Sequence, residues 1–319
     1  MDFKKNAQPQ VYREFLVYMQ SIKGKSPNTI AEYALDLQVF FRFLKLFKGL
    51  VDDSVEFNQI PIDDLDLDFV RQIQLTDLYE YLSYISNQRS NCASTRARKV
   101  ACLRSYFKYM TNKAKYLDDN PAKELDSPKI KQALPKYLDL EESKRLLAAV
   151  DGEHKYRDYA ILTIFLNCGL RLSELVGINL NDFKDDTLVV TGKGDKERII
   201  YLNQACISAI RNYLQVRTTD GVKDKNALFL SARKQRISNK TIQAMVKKYL
   251  KLAGLDENKY SVHKLRHTAA TLMYKYAKTD VRTLQEILGH EQLSTTQIYT
   301  HVDDEQRRAA VKNNPLADL

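Results

Sequence analysis

Three prolines, Pro121, Pro128 and Pro135, fall in a glycine-free stretch that also carries Lys123, Lys129, Lys131 and Lys136. No other feature limits the fold of the chain as much. Proline lacks a backbone donor, fixes its own φ and pushes the preceding residue out of the helical region. A continuous helix cannot cross this stretch, so the residues on either side must fold around separate cores. At 319 residues the chain has room for about two domains of roughly 150 residues each. We therefore expect a helical domain over 1–126, a linker over 127–137 and a second domain over 138–319. The linker, stiff and lysine-rich, is suited to crossing a phosphate backbone.

The charge balance points the same way. Lys and Arg number 50 against 40 Asp and Glu, a net +10, which favours a polyanionic partner without identifying it. Cys92, Cys102, Cys168 and Cys206 have neither the spacing of a zinc site nor the density of a disulfide scaffold, and read as free thiols in a reducing cytoplasm. The longest apolar stretch, Ala160 to Leu170, is interrupted by Thr163 and Asn167 and is far shorter than the about 20 residues a membrane span needs. Neither a membrane partner nor a bound metal is expected.

In the first half, Val11, Phe15, Met19 and Ile22 recur at helical spacing. Ser26-Pro27 then supplies an N-cap with proline at the first helical position, opening a helix that ends near Gly49. The stretch 52–68 holds seven acidic residues and no Lys or Arg; it is expected to be a solvated loop facing away from any polyanion. From Arg89 to Lys131 the sign reverses, with eleven basic residues against four acidic. There Val100, Leu103, Phe107 and Met110 make one helical stripe, flanked by Arg98, Arg104 and Lys108. With Lys129 and Lys131, these are the candidate phosphate contacts.

The second half begins at Asp139, an N-cap followed by Glu141 and Glu142 in the first turn. Tyr159 to Leu170 reads as a buried helix closed by Gly169. Thr187–Thr191 and Glu197–Leu202 flank a glycine-bearing turn, a β-hairpin pattern. Helical spacing resumes over 207–214, 242–252, 263–276 and 281–288. The fold class is thus mainly α: an all-helical first domain, then a mixed α+β domain of helices with a small antiparallel sheet.

Three patterns in this half carry chemistry. Arg171 and Glu174, and likewise His263 and Arg266, stand three residues apart, so each pair shares a helix face. His290 follows a helix ended by Gly289, and Tyr299 follows Ser294-Thr295-Thr296, which offers N-caps for a short helix. Breaking a phosphodiester without metal or water requires neutralisation of phosphate charge, a nucleophile, a base and an acid. Arg171 and Arg266 match phosphate oxygens bidentately. Tyr299 supplies the nucleophile and His263 a base. Lys193, on the hairpin turn, can protonate the departing sugar oxygen; His290 can donate to a phosphate oxygen; Glu174 can orient Arg171 or a histidine.

Jointly and in this order, the motifs resemble the tyrosine recombinase (phage integrase) family, most closely its bacterial Xer-type members. Gly169-Leu-Arg-Leu-Ser-Glu-Leu175 is similar to the first arginine box, Gly192-Lys-Gly-Asp-Lys-Glu-Arg198 to the lysine hairpin and His263-Lys-Leu-Arg-His267 to the second arginine box. Leu288 to Val302 resembles the C-terminal box. Ser26 to Leu37 and Asn120-Pro-Ala-Lys resemble the family's helical core-binding domain and its exit. The resemblance implies a C-shaped clamp of two domains on double-stranded DNA, a 3′-phosphotyrosine on Tyr299 and no cofactor. It also implies a homotetramer, with or without a paralogous recombinase or an activating partner protein, that exchanges strands between synapsed sites through a Holliday junction. Lys193, rather than Lys196, falls on the family's lysine. The acidic stretch 52–68 and the tail 303–319 depart from the compact Xer pattern, which leaves chromosome dimer resolution and mobile-element integration or excision both open. Type IB topoisomerase-like cleavage and resealing, and an accessory DNA-binding protein with an inactive site, are the alternatives.

Overall fold

The structure is a computed structural model that describes residues 9–52, 54–129, 136–192 and 196–289. The chain divides into two compact units, 1–132 and 133–319.

The first unit contains helices α1 (Gln10–Ser21), α2 (Pro27–Phe47), α3 (Leu67–Arg71), α4 (Leu75–Asn87) and α5 (Ala93–Asn112). Ser26 caps α2 by accepting from the Thr29 amide, with Pro27 behind it. The core is aromatic: Phe15, Phe40, Phe41, Tyr81, Tyr106 and Phe107 are almost wholly buried, and the Tyr106 hydroxyl donates to the Val11 carbonyl at 2.8 Å. Along α5, Val100, Leu103, Phe107 and Met110 face this core, while Arg104 and Lys108 are exposed. Arg98 instead turns to Asp36 and Glu32, at 2.5 and 2.9 Å. Lys99 is buried and reaches Asp36 at 2.8 Å.

The acidic stretch differs from the solvated loop its composition suggests. Ile60, Ile62 and Leu65 are buried. Arg42 donates to the Ile60 carbonyl, and Lys45 to the Pro61 carbonyl and to Asp64. The apolar residues between the acids, together with the two basic side chains of α2, strap the segment onto the helix.

The second unit holds α6 (Leu140–Ala148), α7 (Lys155–Cys168), α8 (Leu172–Gly177), strands β1 (Phe183–Lys184), β2 (Thr187–Thr191) and β3 (Glu197–Tyr201), then α9 (Gln204–Val216), α10 (Asn239–Leu252), α11 (Val262–Tyr276) and α12 (Val281–Leu288). Asp139 and Glu142 form a reciprocal cap at the start of α6. Helix α7 exposes Tyr156 and Tyr159 near its start, is buried on nearly every side from Ala160 on, and packs against α9 and α11. The strands form an antiparallel sheet in the order β1-β2-β3, pairing Leu188 with Ile200 and Val190 with Arg198. The strand β2 has the expected bounds, and β3 ends at Tyr201, one residue short of the expected Leu202; β1, two residues long, is too short to show a period. Cys168 and Cys206 are buried free thiols with sulfurs 3.8 Å apart. Among the described residues no helix is long and apolar enough to cross a membrane.

Candidate active site

Everything in the site is arranged around Glu174, whose side chain is completely buried. Helix α7 ends at Gly169 in the left-handed conformation, φ +62°. That turn redirects the chain so that Arg171 becomes the N-cap of α8. From there the Arg171 backbone amide donates to Glu174 Oε2 at 2.7 Å and its Nη1 to Oε1 at 2.7 Å. The three-residue spacing therefore lets the Glu174 carboxylate cap the first turn from within, accepting from both the backbone amide and the guanidinium of Arg171, a side chain that has donors only. Of the two partners open to Glu174 from sequence, the structure selects Arg171.

A second arginine shares this carboxylate. On β3, alternation turns Arg198 inward beside Ile200, and its guanidinium forks onto Glu174, Nη1 to Oε1 at 2.7 Å and Nη2 to Oε2 at 3.1 Å. Arg266, on α11, is only 3% exposed and stands 4.0 Å from Glu174. It donates to the Gly169 carbonyl at 2.7 Å and the Leu288 carbonyl at 2.6 Å. Arg171 Nη2 donates to the Gly289 carbonyl at 2.7 Å. Arg171 and Arg266 thus hold the carbonyls of the two residues that precede His290. Among the described residues three guanidiniums surround this carboxylate, leaving two positive charges in excess.

Arg171, Arg266 and His263 line a cavity of about 690 Å³, together with Asn239, Gln243 and Lys247 from α10. Solvent reaches His263, yet the protein packed about the ring, and then Arg266, Arg171 and Lys264, hold its pKa below the ordinary 6.5. His267, edge-on to His263 at 4.7 Å between ring centroids, is pushed down to about 4, chiefly by burial. A neutral His263 retains the lone pair that a general base needs. Positive charge, a neutral imidazole and an open cavity suit a phosphodiester, whose negative charge grows on the non-bridging oxygens as it is attacked.

The structure thus brings Arg171, Glu174, His263 and Arg266 together. Lys193, His290, Tyr299 and Lys131 lie outside the described residues. Of the residues expected to meet DNA, Arg104, Lys108 and Lys129 are exposed, and Arg98 is engaged by Asp36 and Glu32. Sequence reasoning missed Arg198, although strand alternation puts it on the inward face, and missed Asn239, Gln243 and Lys247, for which no local pattern pointed to the site.

Comparison with known proteins places this geometry. Residues 136–306 match the phage integrase family. The chain is 59% identical over 309 residues to tyrosine recombinase XerC of Caldanaerobacter subterraneus subsp. tengcongensis, covering 97% of this chain and 88% of that one. Its fold matches a crystal structure of the XerH site-specific recombinase in a post-cleavage complex with a palindromic difH substrate, at TM-score 0.71 and 22% identity, covering 97% of this chain and 90% of the other. It also matches a lambda integrase tetramer bound to a Holliday junction, at TM-score 0.62 and 17% identity, covering 88% and 76%. These last two likenesses are of fold alone. The conserved length, the matched domain and the arginine-lined site agree, and the chain belongs to the phage integrase family as a tyrosine recombinase of the Xer type.

Proposed function

We propose that the chain cuts and rejoins double-stranded DNA at paired short sites, with Tyr299 attacking the scissile phosphate. The observation that carries this reading is the pair of Arg171 and Arg266 at one cavity, with two positive charges in excess around buried Glu174. The tyrosine oxygen bonds to phosphorus and the bond to the 5′ oxygen breaks, giving a 3′-phosphotyrosine and a 5′-hydroxyl. His263, held neutral, takes the tyrosine proton. Lys193 gives a proton to the departing oxygen, and His290 donates to a non-bridging oxygen. Arg171 and Arg266 neutralise the added charge. Attack by the 5′-hydroxyl of a partner strand reverses the step and completes the exchange, with phosphodiester energy kept in the tyrosyl bond.

The working form we propose is a cytoplasmic homotetramer on two synapsed sites, exchanging strands through a Holliday junction. The fold shared with a recombinase on a Holliday junction supports this assembly. Likeness over nearly the whole chain to a protein named XerC supports the Xer-type reading, chromosome dimer resolution, over mobile-element integration or excision. Arg104, Lys108 and Lys129 are the exposed residues offered to phosphates on the first unit and its exit.

Incubating the purified chain with a nicked duplex, taken from those it enriches out of a random pool, tests the chemistry. A covalent protein–DNA adduct is expected, and Tyr299→Phe abolishes it. An adduct that persists in Tyr299→Phe refutes the nucleophile assignment.

A further inference from the structure

Arg198 has no part in the steps above, yet it is the second arginine on Glu174 and sits where three functional segments meet. It forks onto the carboxylate from β3. A Cβ placed at Gly289 would lie 3.0 Å from its Nη1 and 3.1 Å from its Nε, so the guanidinium forms the floor beneath the residue whose carbonyl Arg171 holds. Glu174 also abuts the hairpin turn: a Cβ placed at Gly192, the residue before Lys193, would lie 3.6 Å from Oε1. Arg198 is mostly buried, its side chain 17% exposed, and its Nε is buried without a hydrogen-bond partner among the described residues. Burial draws its pKa down and Glu174 raises it. An arginine kept there despite that desolvation calls for a reason beyond hairpin stability.

We propose that Arg198 is a positioning residue that sets how much positive charge Arg171 and Arg266 present to the scissile phosphate. Glu174 is needed to aim Arg171, but alone it would neutralise one of the two clamps. Arg198 offsets that charge. With it, the cluster of Arg171, Arg198, Arg266 and Glu174 carries two positive charges over; without it, one. Its fork also occupies both Glu174 oxygens, which holds the carboxylate, and through it Arg171 Nη1, in one orientation. The inference rests on the proposed cleavage at this cavity.

The test measures single-turnover adduct formation on the nicked duplex, DNA affinity and melting temperature for the full chain and four variants. Arg198→Gln is expected to slow cleavage by on the order of 10–100-fold, as loss of supporting partners does at other sites, with DNA affinity changed less than about threefold. Arg198→Lys, which keeps the charge but loses the fork, should fall between. Glu174→Gln with Arg198→Gln restores the excess of two positive charges and should cleave faster than Arg198→Gln alone, whereas Glu174→Gln alone leaves three guanidiniums unbalanced and should be poorly folded or slow. A residue that merely props the hairpin predicts a double variant no faster than Arg198→Gln. That result, or a loss confined to DNA affinity or melting temperature, overturns the proposal. If the parent chain forms no adduct, the cleavage reading fails on its own. The positioning is then read without turnover, from the Arg171 Nε–Hε signal by NMR: Arg198→Gln should move it, and an unmoved signal overturns the inference.

Discussion

Gly169→Ala is the perturbation that most directly tests how the fold delivers Arg171 and Arg266. Gly169 has φ +62°, where a side chain costs about 1–2 kcal/mol. A Cβ there would stand 2.8 Å from Leu288 Cδ2 and 3.4 Å from Ala269 Cβ. Leu288 cannot simply swing away, because it is fully buried in a small cluster with Ala270 and Leu284, and crowding of this kind costs about 1–3 kcal/mol. The combined loss is about 2–5 kcal/mol. For a unit of this size a loss of ~3 kcal/mol lowers the midpoint by roughly 6–12 °C. The chain has no tryptophan, so unfolding in urea is best followed by amide exchange in α7 and α11, which reports the second unit alone. Gly177→Ala is the control: Gly177 lacks a positive φ, and nothing would lie within 4 Å of its Cβ. It should change stability by no more than about 1 kcal/mol. Because Gly169 offers its carbonyl to Arg266, cleavage should fall as well. A Gly169→Ala chain within about 0.5 kcal/mol of the parent would refute the claim that this turn is tightly packed.

Three further outcomes follow from the same geometry. His267 is held at about 4 against an ordinary 6.5, and His263 is also lowered. Below about 6.5 the unfolded chain therefore binds protons that the native one refuses, and the stability present above that pH is lost as pH falls toward 4. His267→Asn should flatten the dependence of melting temperature on pH in this window, and an unchanged slope would contradict the assignment. Asp36→Ala leaves Lys99, 7% exposed, without its 2.8 Å partner and should cost about 3–5 kcal/mol, read from amide exchange in α2 and α5; a cost under 1 kcal/mol would show that the pair is not the anchor. Arg104→Gln and Lys108→Gln should each lower the log–log salt slope of DNA affinity by about 1, whereas Arg98→Gln, already engaged by Asp36 and Glu32, should leave it unchanged. An equal drop for Arg98 would place that residue on the phosphates.

What could be read from sequence was what repeats locally. Helical spacing put Val100, Leu103, Phe107 and Met110 on one face, caps placed the starts of α2 and α6, and alternation gave β2 and β3. The three-residue spacing of Arg171 and Glu174 already implied contact. What stayed hidden needs a partner far along the chain. Arg98 looks free on a helical wheel, and only folding brings Asp36 to it from 62 residues away. The stretch 52–68 carries its apolar anchors between acids, so its net charge conceals Ile60, Ile62 and Leu65. Arg198 lies in the strand its neighbours indicate, but an arginine on an inward face reads as an exception until folding brings Glu174 to it from 24 residues away.

The hydrogen bonds of the clamps explain why arginine, and not lysine, suits both positions. Arg266 spends one donor on Gly169 at the end of α7 and another on Leu288 at the end of α12, so one side chain satisfies carbonyls that two helix ends leave open. Arg171 does the same for Gly289 while its Nη1 is held by Glu174. A lysine offers a point charge on a flexible stem and lacks the planar fork that reaches carbonyls of two segments at once. Each guanidinium therefore joins the elements that build the cavity and charges it in the same act. The left-handed turns at Gly169 and Gly289 bring those carbonyls within reach. The consequence is that the positions of these elements and the charge at the cavity cannot vary independently at either arginine. At Arg198, which charges the site only through Glu174, they can.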